Sequence, residues 1–469
     1  VDLVRVSDVF DHTALLSHGF VPGRRLALDI AGYALEAVDP YGAVLSRLNV
    51  EAGRLRIDED IYDLDSFEHI YVIGGGKACY HQALAVEKLL GDRISDGFVA
   101  VKAGQLGPFV DRHGVLSRIR VQEAAHPVPD ESSLRAGQEI LAIAGRAGPR
   151  DLVLSLMSGG TSAQVIAPVP GVSVADKAMV GNLLVTSGAD VTEIMTVRGH
   201  LSQIKCGRLA LRLYPATIIT LTVSDEKSDS IIWNTDWMSP NGTTPAEAIV
   251  ILQRYELWER IPETVRQFLK GANLNPVADE IPGDIRLKRY MVVRTRDIFD
   301  AAVERSRELG LEPLPLTTLL CGESREVGRA LSSIAREVVL SGHPVAAPCA
   351  LIATGETGVR VRRDTGGEGG ANQELAAGAC LDLGQDAPVA ILALDTDGSD
   401  GPTTIAGALT DGTTLLRARE QGVDIYRALS EHDISRALRA SGDAIVTGPT
   451  GTNVNDIVVI VVLPQTALP

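Results

Sequence analysis

The chain runs to 469 residues, 45% hydrophobic and 22% charged, which excludes a disordered or fibrous protein and predicts two or three folded domains. Its 44 lysines and arginines face 60 aspartates and glutamates, a formal charge of −16. That excludes nucleic acid as a partner, since phosphate backbones need a basic face, and aromatics at 4% leave little for base stacking. Five scattered cysteines without a CxxC pair argue against a disulfide or zinc framework. With no signal peptide and no apolar run near the roughly 20 residues of a membrane helix, the expectation is a cytoplasmic protein with no membrane partner.

Taken in chain order, the pattern is a short β-branched or leucine-rich run, a loop of glycine, serine and aspartate, then a segment of helical spacing, which predicts an α/β fold. His69 to Ile73 reads as a strand that passes through Gly74-Gly75-Gly76-Lys77 into a helix from Ala78 to about Leu90. Further strands are expected at Phe98 to Lys102, at Asp151 to Met157 before Ser158-Gly159-Gly160-Thr161-Ser162, and at Thr217 to Val223 before Ser224-Asp225. Helical spacing fills Ala248 to about Leu269, with Pro262 beginning a second short helix, and the Pro-, Asn- and Gly-rich stretch from Gly271 to Gly283 reads as a hinge. A second α/β pattern follows: strands at Arg289 to Arg296, Thr317 to Leu320, Cys349 to Thr354, Val389 to Leu394 and Ile457 to Val462, with helices at Asp297 to Leu309, Arg325 to Ser341 and from Asn372.

The loops at strand ends carry the candidate chemistry. Gly74, Gly75 and Gly76 lead into a helix start beside Lys77, a place for an anion, although a tight turn with a solvated lysine reads equally well. The spacing is not that of a P-loop, because Tyr71 and Ala78 stand at the required glycine and hydroxyl positions. Nor is it a dinucleotide fingerprint, whose third glycine is Cys79. Ser158, Gly159, Gly160, Thr161 and Ser162 form a second such turn, and no G-x-S-x-G marks a serine nucleophile. Asp225 and Asp229 could hold a divalent cation or accept a proton, or cap a helix. Asp395, Asp397 and Asp400 miss the EF-hand spacing and could bind magnesium, orient a polar ligand, or stabilise a turn. Arg198 and Lys205, seven residues apart and so two helical turns, could face one anion or simply be solvated, and His126 sits in a proline-fixed loop.

In order, the motifs Gly-Gly-Gly-Lys77-Ala, His126-Pro-Val-Pro-Asp130, Asp151-Leu-Val-Leu with Ser158-Gly-Gly, Val197-Arg198 with His200-Leu-Ser and Ile204-Lys205, Ser224-Asp225, Asn372-Gln-Glu374, Thr396-Asp-Gly-Ser-Asp-Gly-Pro402 and Thr447-Gly-Pro-Thr-Gly-Thr-Asn-Val-Asn-Asp456 resemble the class II glycerate kinases, or glycerate 2-kinases, with a C-terminal MOFRL-type domain. The resemblance runs from about residue 14 to residue 463. It implies two α/β domains with a cleft between them: a larger, doubly wound, Rossmann-like parallel-sheet domain at 1–280 and a smaller MOFRL-like domain at 281–469. It also implies phosphorylation of the 2-hydroxyl of D-glycerate, or a related hydroxy or sugar acid, using ATP and Mg2+, in a monomer or homodimer. Lys77 and Asp225 would be catalytic, Asp225 and Asp229 metal ligands, the two glycine turns the phosphate cradle, and Arg198, Lys205, Asn372 and Asp397 the substrate contacts.

The chain departs from the family pattern at four places: Ala371 replaces an arginine, Gly199 a lysine and Thr161 a glycine, while Trp233 and Trp237 stand where small residues are usual, in a stretch expected to line the cleft. The missing cations motivate an alternative, a non-kinase enzyme on a sugar-acid derivative (isomerase, decarboxylase or hydroxypyruvate-reductase-like); a third reading is a ligand-binding regulator.

Overall fold

A computed structural model describes residues 10–225, 237–239, 242–272, 281–361 and 366–465. The chain divides into two compact units, one formed by residues 40–292 and the other by residues 1–39 together with 293–469. The expected boundary at 280/281 lies near the second crossing. The first crossing, at 39/40, has no counterpart in the sequence reading.

The unit of residues 40–292 begins with an antiparallel meander of β1 (Leu48–Glu51), β2 (Arg54–Ile57) and β3 (Asp60–Asp63), in which Leu55 and Ile57 turn inward and Arg54 and Arg56 outward. A six-stranded sheet follows, built from β4 (His69–Gly75), β5 (Ile94–Lys102), β6 (Ile119–Ala124), β7 (Asp151–Met157), β8 (Thr217–Ser224) and β9 (Leu287–Arg294), in the order β6-β5-β4-β7-β8-β9. The pairs β5/β6, β4/β5, β4/β7 and β7/β8 are parallel. Because helices cover both faces of such a sheet, its central strands read as continuous apolar runs, and every residue of β7 and β8 is buried. Each fully enclosed Val, Leu or Ile there contributes about 1.5–3 kcal/mol. Successive strands move outward one way from β4 and the other way from β7, so the β4 and β7 ends form the switch point at which open α/β sheets bind ligands.

The second unit holds a mixed sheet of β10 (Glu312–Leu320), β11 (Cys349–Gly355), β12 (Val389–Asp395), β13 (Gly407–Asp411), β14 (Ala444–Ile445) and β15 (Asp456–Val462), in the order β10-β11-β15-β12-β13-β14. Only β10 and β11 run parallel. Pro313 and Pro315 are tolerated in β10 because it lies at an edge, where a missing N–H costs no ladder bond. The helix Val21–Ala37 packs on β12 and β15. Its Arg24 is fully enclosed and donates to the Leu409 carbonyl and the Asp443 carboxylate, with Asp411 3.3 Å away and Arg417 completing the network. A buried guanidinium is tolerated only when paired in this way, so the network ties this N-terminal helix to residues almost 400 positions later in the chain. Among the described residues no helix is long and apolar enough to cross a membrane.

Candidate active site

The two glycine turns close on each other at the switch point. Gly76, with φ +129°, lies so near Ser158 that a Cβ there would overlap its hydroxyl, which only glycine avoids. The amides of this first turn are taken up by the protein: Gly76 N–H donates to Gln164 Oε1 (3.1 Å), Lys77 N–H to the Gly159 carbonyl (3.0 Å) and Ala78 N–H to Ser158 Oγ (2.9 Å). An anion at this turn would therefore meet side chains rather than these three amides. Thr161 lies within hydrogen-bonding distance of the Gly75 and Ser158 carbonyls, locking the two turns together. A Cβ added at Gly160 would lie 2.8 Å from Gln164 Nε2, 3.3 Å from Lys77 Cγ and 3.4 Å from His126 Cδ2, so these three side chains converge over the second turn. Gln164 is fully buried and its Nε2 has no hydrogen-bond partner.

Cations gather on the far side of the same turn. The Arg198 guanidinium donates to the Ser162 carbonyl (3.2 Å) and the Lys205 ammonium donates to Ser162 Oγ. They do not share one helix, because the helix Val191–His200 ends before Lys205. The chain turns at Ser202, whose hydroxyl accepts from the Ile204 and Lys205 amides, and this reversal brings Lys205 back to Ser162. Lys177, on the helix Val174–Ser187, is 3% exposed and donates to the Arg198 and Leu201 carbonyls, fixing the end of the helix that carries Arg198. Burial, then the neighbouring Arg198 charge, push the Lys205 ammonium down to about 7, and burial holds the Arg198 and Lys177 cations below their ordinary values. Cations held so close together in a protein of charge −16 favour an anionic ligand. Gly199 is packed shut, since a Cβ there would meet Cys206 Sγ at 2.4 Å.

The other unit presents a cleft of about 410 Å³ at the ends of β11 and β12 and the start of β15, lined by Glu356, Glu374, Asp395, Asp400 and Asp456 together with Ala371, Asn372 and His432. Among the described residues no lysine or arginine lines it, and Ala371 stands at the position where the resemblance led to the expectation of an arginine. Asp400 accepts from the amides of Asn372 (3.1 Å) and Gln373 (2.8 Å), capping the helix Ala371–Cys380 from across the loop. Burial raises its carboxyl to about 6. Glu374, also raised by burial, bonds His432 Nδ1 at 2.7 Å. Asp456 is pushed well above the carboxylate range by burial and by the charges of Asp395, Asp400 and Glu356.

The structure thus brings Lys77 and the two glycine turns together, with Arg198 and Lys205 meeting at Ser162, and places Asn372 in the acidic cleft. Asp225 follows β8, half-buried. Asp397 accepts from the Ser399 amide and hydroxyl, a local turn; the aspartates of that loop that line the cleft are Asp395 and Asp400. Trp237 is 2% exposed and donates to Ser155 Oγ inside the core, a correction to its expected place at a cleft wall. Asp229 and Trp233 lie outside the described residues. Lys177, Gln164 and Asp456 were not anticipated as site residues. Of these only Asp456 carried a signal, as the last residue of a Gly- and Asn-rich loop before an apolar strand.

The chain matches two family models, a domain of unknown function (DUF4147) over residues 26–270 and the MOFRL family over residues 349–456. It is 37% identical over 442 residues to a glycerate 2-kinase of Pyrococcus horikoshii, covering 94% of this chain and 97% of that one. It is 39% identical over 461 residues to a putative hydroxypyruvate reductase of Agrobacterium vitis, covering 98% and 99%. The crystal structure of a glycerate kinase from Thermotoga maritima superposes with a TM-score of 0.77 at 32% identity, covering 94% of this chain and 99% of that one. With both domains matched and close relatives aligned along nearly the whole length, the chain is a kinase belonging to the glycerate 2-kinase family.

Proposed function

We propose that this kinase transfers the γ-phosphoryl group of ATP, with Mg2+, to the 2-hydroxyl of D-glycerate or a closely related hydroxy acid in the cytoplasm. The observation that carries the reading is the pairing of Arg198 and Lys205 at Ser162, beside the turns that hold Lys77. Phosphoryl transfer needs positioning and charge neutralisation more than covalent chemistry, and enclosed cations at a sheet switch point supply both. Arg198 and Lys205 would hold the substrate carboxylate, the guanidinium by a two-pronged contact and the ammonium as a point charge. Lys77 and the unpartnered Gln164 Nε2 would take phosphoryl oxygens at the second turn. Asp225, at the β8 end, would orient the attacking hydroxyl and accept its proton. ATP with its metal supplies the phosphoryl group and part of the charge neutralisation. The names of the relatives support both the reaction and the acid.

The name of the Agrobacterium vitis relative favours a second reading, reduction of hydroxypyruvate by a nicotinamide cofactor. The first turn counts against it, because a dinucleotide site presents backbone amides to a pyrophosphate and here three of them already have protein acceptors. The test is ADP release from MgATP with D-glycerate and hydroxy acids of three to six carbons, run beside NADH or NADPH oxidation with hydroxypyruvate. ADP release dependent on the acid is expected. Cofactor oxidation without ADP release would overturn the proposal.

A further inference from the structure

Ser162 stands where the two cations of the site meet, yet its hydroxyl takes no part in transfer to the acid. The Lys205 side-chain nitrogen is hydrogen-bonded to Ser162 Oγ, and the Arg198 guanidinium donates to the carbonyl of the same residue (3.2 Å). The serine is half-buried, whereas Lys205 is enclosed. Burial and then Arg198 bring Lys205 down to about 7, with Cys206 acting in the opposite sense, so near neutral pH a large share of this lysine is the free amine. An amine without its proton accepts from the hydroxyl instead of donating to it, and a serine paired with such a base is an activated nucleophile. The G-x-S-x-G elbow is not needed for this, because the lysine takes the part of a histidine base. The surroundings suit a phosphoryl group. The amides of Gly159, Gly160 and Ser162 have no acceptor among the described residues, unlike those of Gly76, Lys77 and Ala78 in the first turn. The fully buried Gln164 points its unpartnered Nε2 at Gly160 of the same turn. Open donors beside a nucleophile stabilise the charge that develops on the group it attacks.

We propose that Ser162 and Lys205 form a serine–lysine dyad through which the enzyme phosphorylates itself at Ser162 when no acid occupies the Arg198 and Lys205 site. The neutral Lys205 amine takes the hydroxyl proton as Ser162 Oγ forms a bond to the γ-phosphorus of ATP. The bond from that phosphorus to the bridging oxygen breaks, and ADP leaves with the electron pair; nothing is oxidised or reduced. The phosphoserine carries a charge of about −1.5 to −2 and lies against the Arg198 guanidinium and the newly charged Lys205, in the place proposed for the substrate carboxylate. The two occupants therefore exclude each other. A bound carboxylate keeps Lys205 charged and removes the base, and a phosphorylated Ser162 closes the site to the acid. The inference rests on the kinase reading for the phosphoryl donor, though not for the dyad.

The test incubates the full chain with MgATP and no acid, and follows phosphate on the intact chain and on the peptide that contains Ser162 by mass spectrometry. Phosphoserine at Ser162 is expected, at a first-order rate independent of protein concentration and lowered at least tenfold by saturating D-glycerate. Activity towards D-glycerate should fall in step with the phosphate taken up. Ser162→Ala should acquire none at this position, and Lys205→Arg, which keeps the charge and removes the base, should react at least tenfold more slowly. Peptide mapping of the wild type with and without D-glycerate carries the test if a variant does not fold. No phosphate at Ser162, a rate proportional to protein concentration, or an unchanged rate in Lys205→Arg would overturn the dyad. ADP-release assays with D-glycerate present from the start separate the two readings. Acid-dependent turnover without phosphoserine removes the dyad and keeps the kinase, whereas phosphoserine without acid-dependent turnover does the reverse.

Discussion

Lys205→Met separates a functional cation from a structural one, because the two roles predict opposite changes in stability. Methionine keeps the length of the side chain and removes the charge. The wild-type ammonium is 7% exposed, donates to Ser162 Oγ and is held down to about 7 by burial and by Arg198. If it binds a substrate carboxylate, its removal loses a charged hydrogen bond of about 1.5–3 kcal/mol, or roughly 10- to 150-fold in kcat/KM. Stability should move the other way. With a folded value near 7 and an ordinary value of 10.5, the unfolded chain binds more protons between those limits. The cost of the buried charge is therefore fully present below pH 7 and is relieved as pH rises towards 10.5, at up to about 1.4 kcal/mol per pH unit. Lys205→Met should thus be more stable than wild type at pH 6.5, by a margin that shrinks at pH 9. Denaturant unfolding at both pH values, with ADP-release kinetics, measures the two effects. A variant that is less stable at pH 6.5, or that keeps kcat/KM within twofold, refutes the reasoning.

Two further outcomes follow from the packing. Arg24→Met leaves the buried Asp411 and Asp443 short of a partner and should cost about 3–5 kcal/mol in denaturant unfolding at pH 7. Burial alone would raise both carboxyls, but Arg24 and Arg417, with His18 at Asp443, hold them below 3.8 in the wild type. Their stabilisation is present above that value and lost as pH falls through the lower folded value, so acid unfolding should begin at higher pH in the variant. Gly160→Ala should raise KM for substrate or nucleotide, because it adds a methyl 2.8 Å from Gln164 Nε2 to a φ of +93° that costs about 1–2 kcal/mol. Gly104→Ala, with φ +86° and nothing within 4 Å, carries the strain alone; equal kinetic effects in the two would refute a site at Gly160.

Much of the fold was legible because parallel strands buried on both faces must be long apolar runs: His69–Gly75, Asp151–Met157 and Thr217–Ser224 could hardly be read otherwise. The meander of residues 48–63 escaped notice because each strand has four residues and half of each faces water, so charges interrupt the pattern. Arg198 and Lys205 were paired on a helical spacing, yet a reversal at Ser202 brings them together, which local periodicity does not encode. Lys177 had no signal at all. A lysine reads as a surface residue, and only the helix end packed over it makes it a buried donor. Trp237 misled in the other direction, because bulk in a motif loop says nothing about which way the ring turns.

The double crossing of the chain between its two units sets an order of assembly. Residues 40–292 form a unit whose partners are all contiguous, so it can close as soon as it leaves the ribosome. The helix Val21–Ala37 is made earlier, yet its partners Leu409, Asp411 and Asp443 come almost last. During synthesis its apolar face and Arg24 must therefore wait through most of the chain. The helix Val21–Ala37 is accordingly the segment most dependent on protection during translation, since it docks only once Leu409, Asp411 and Asp443 have been made.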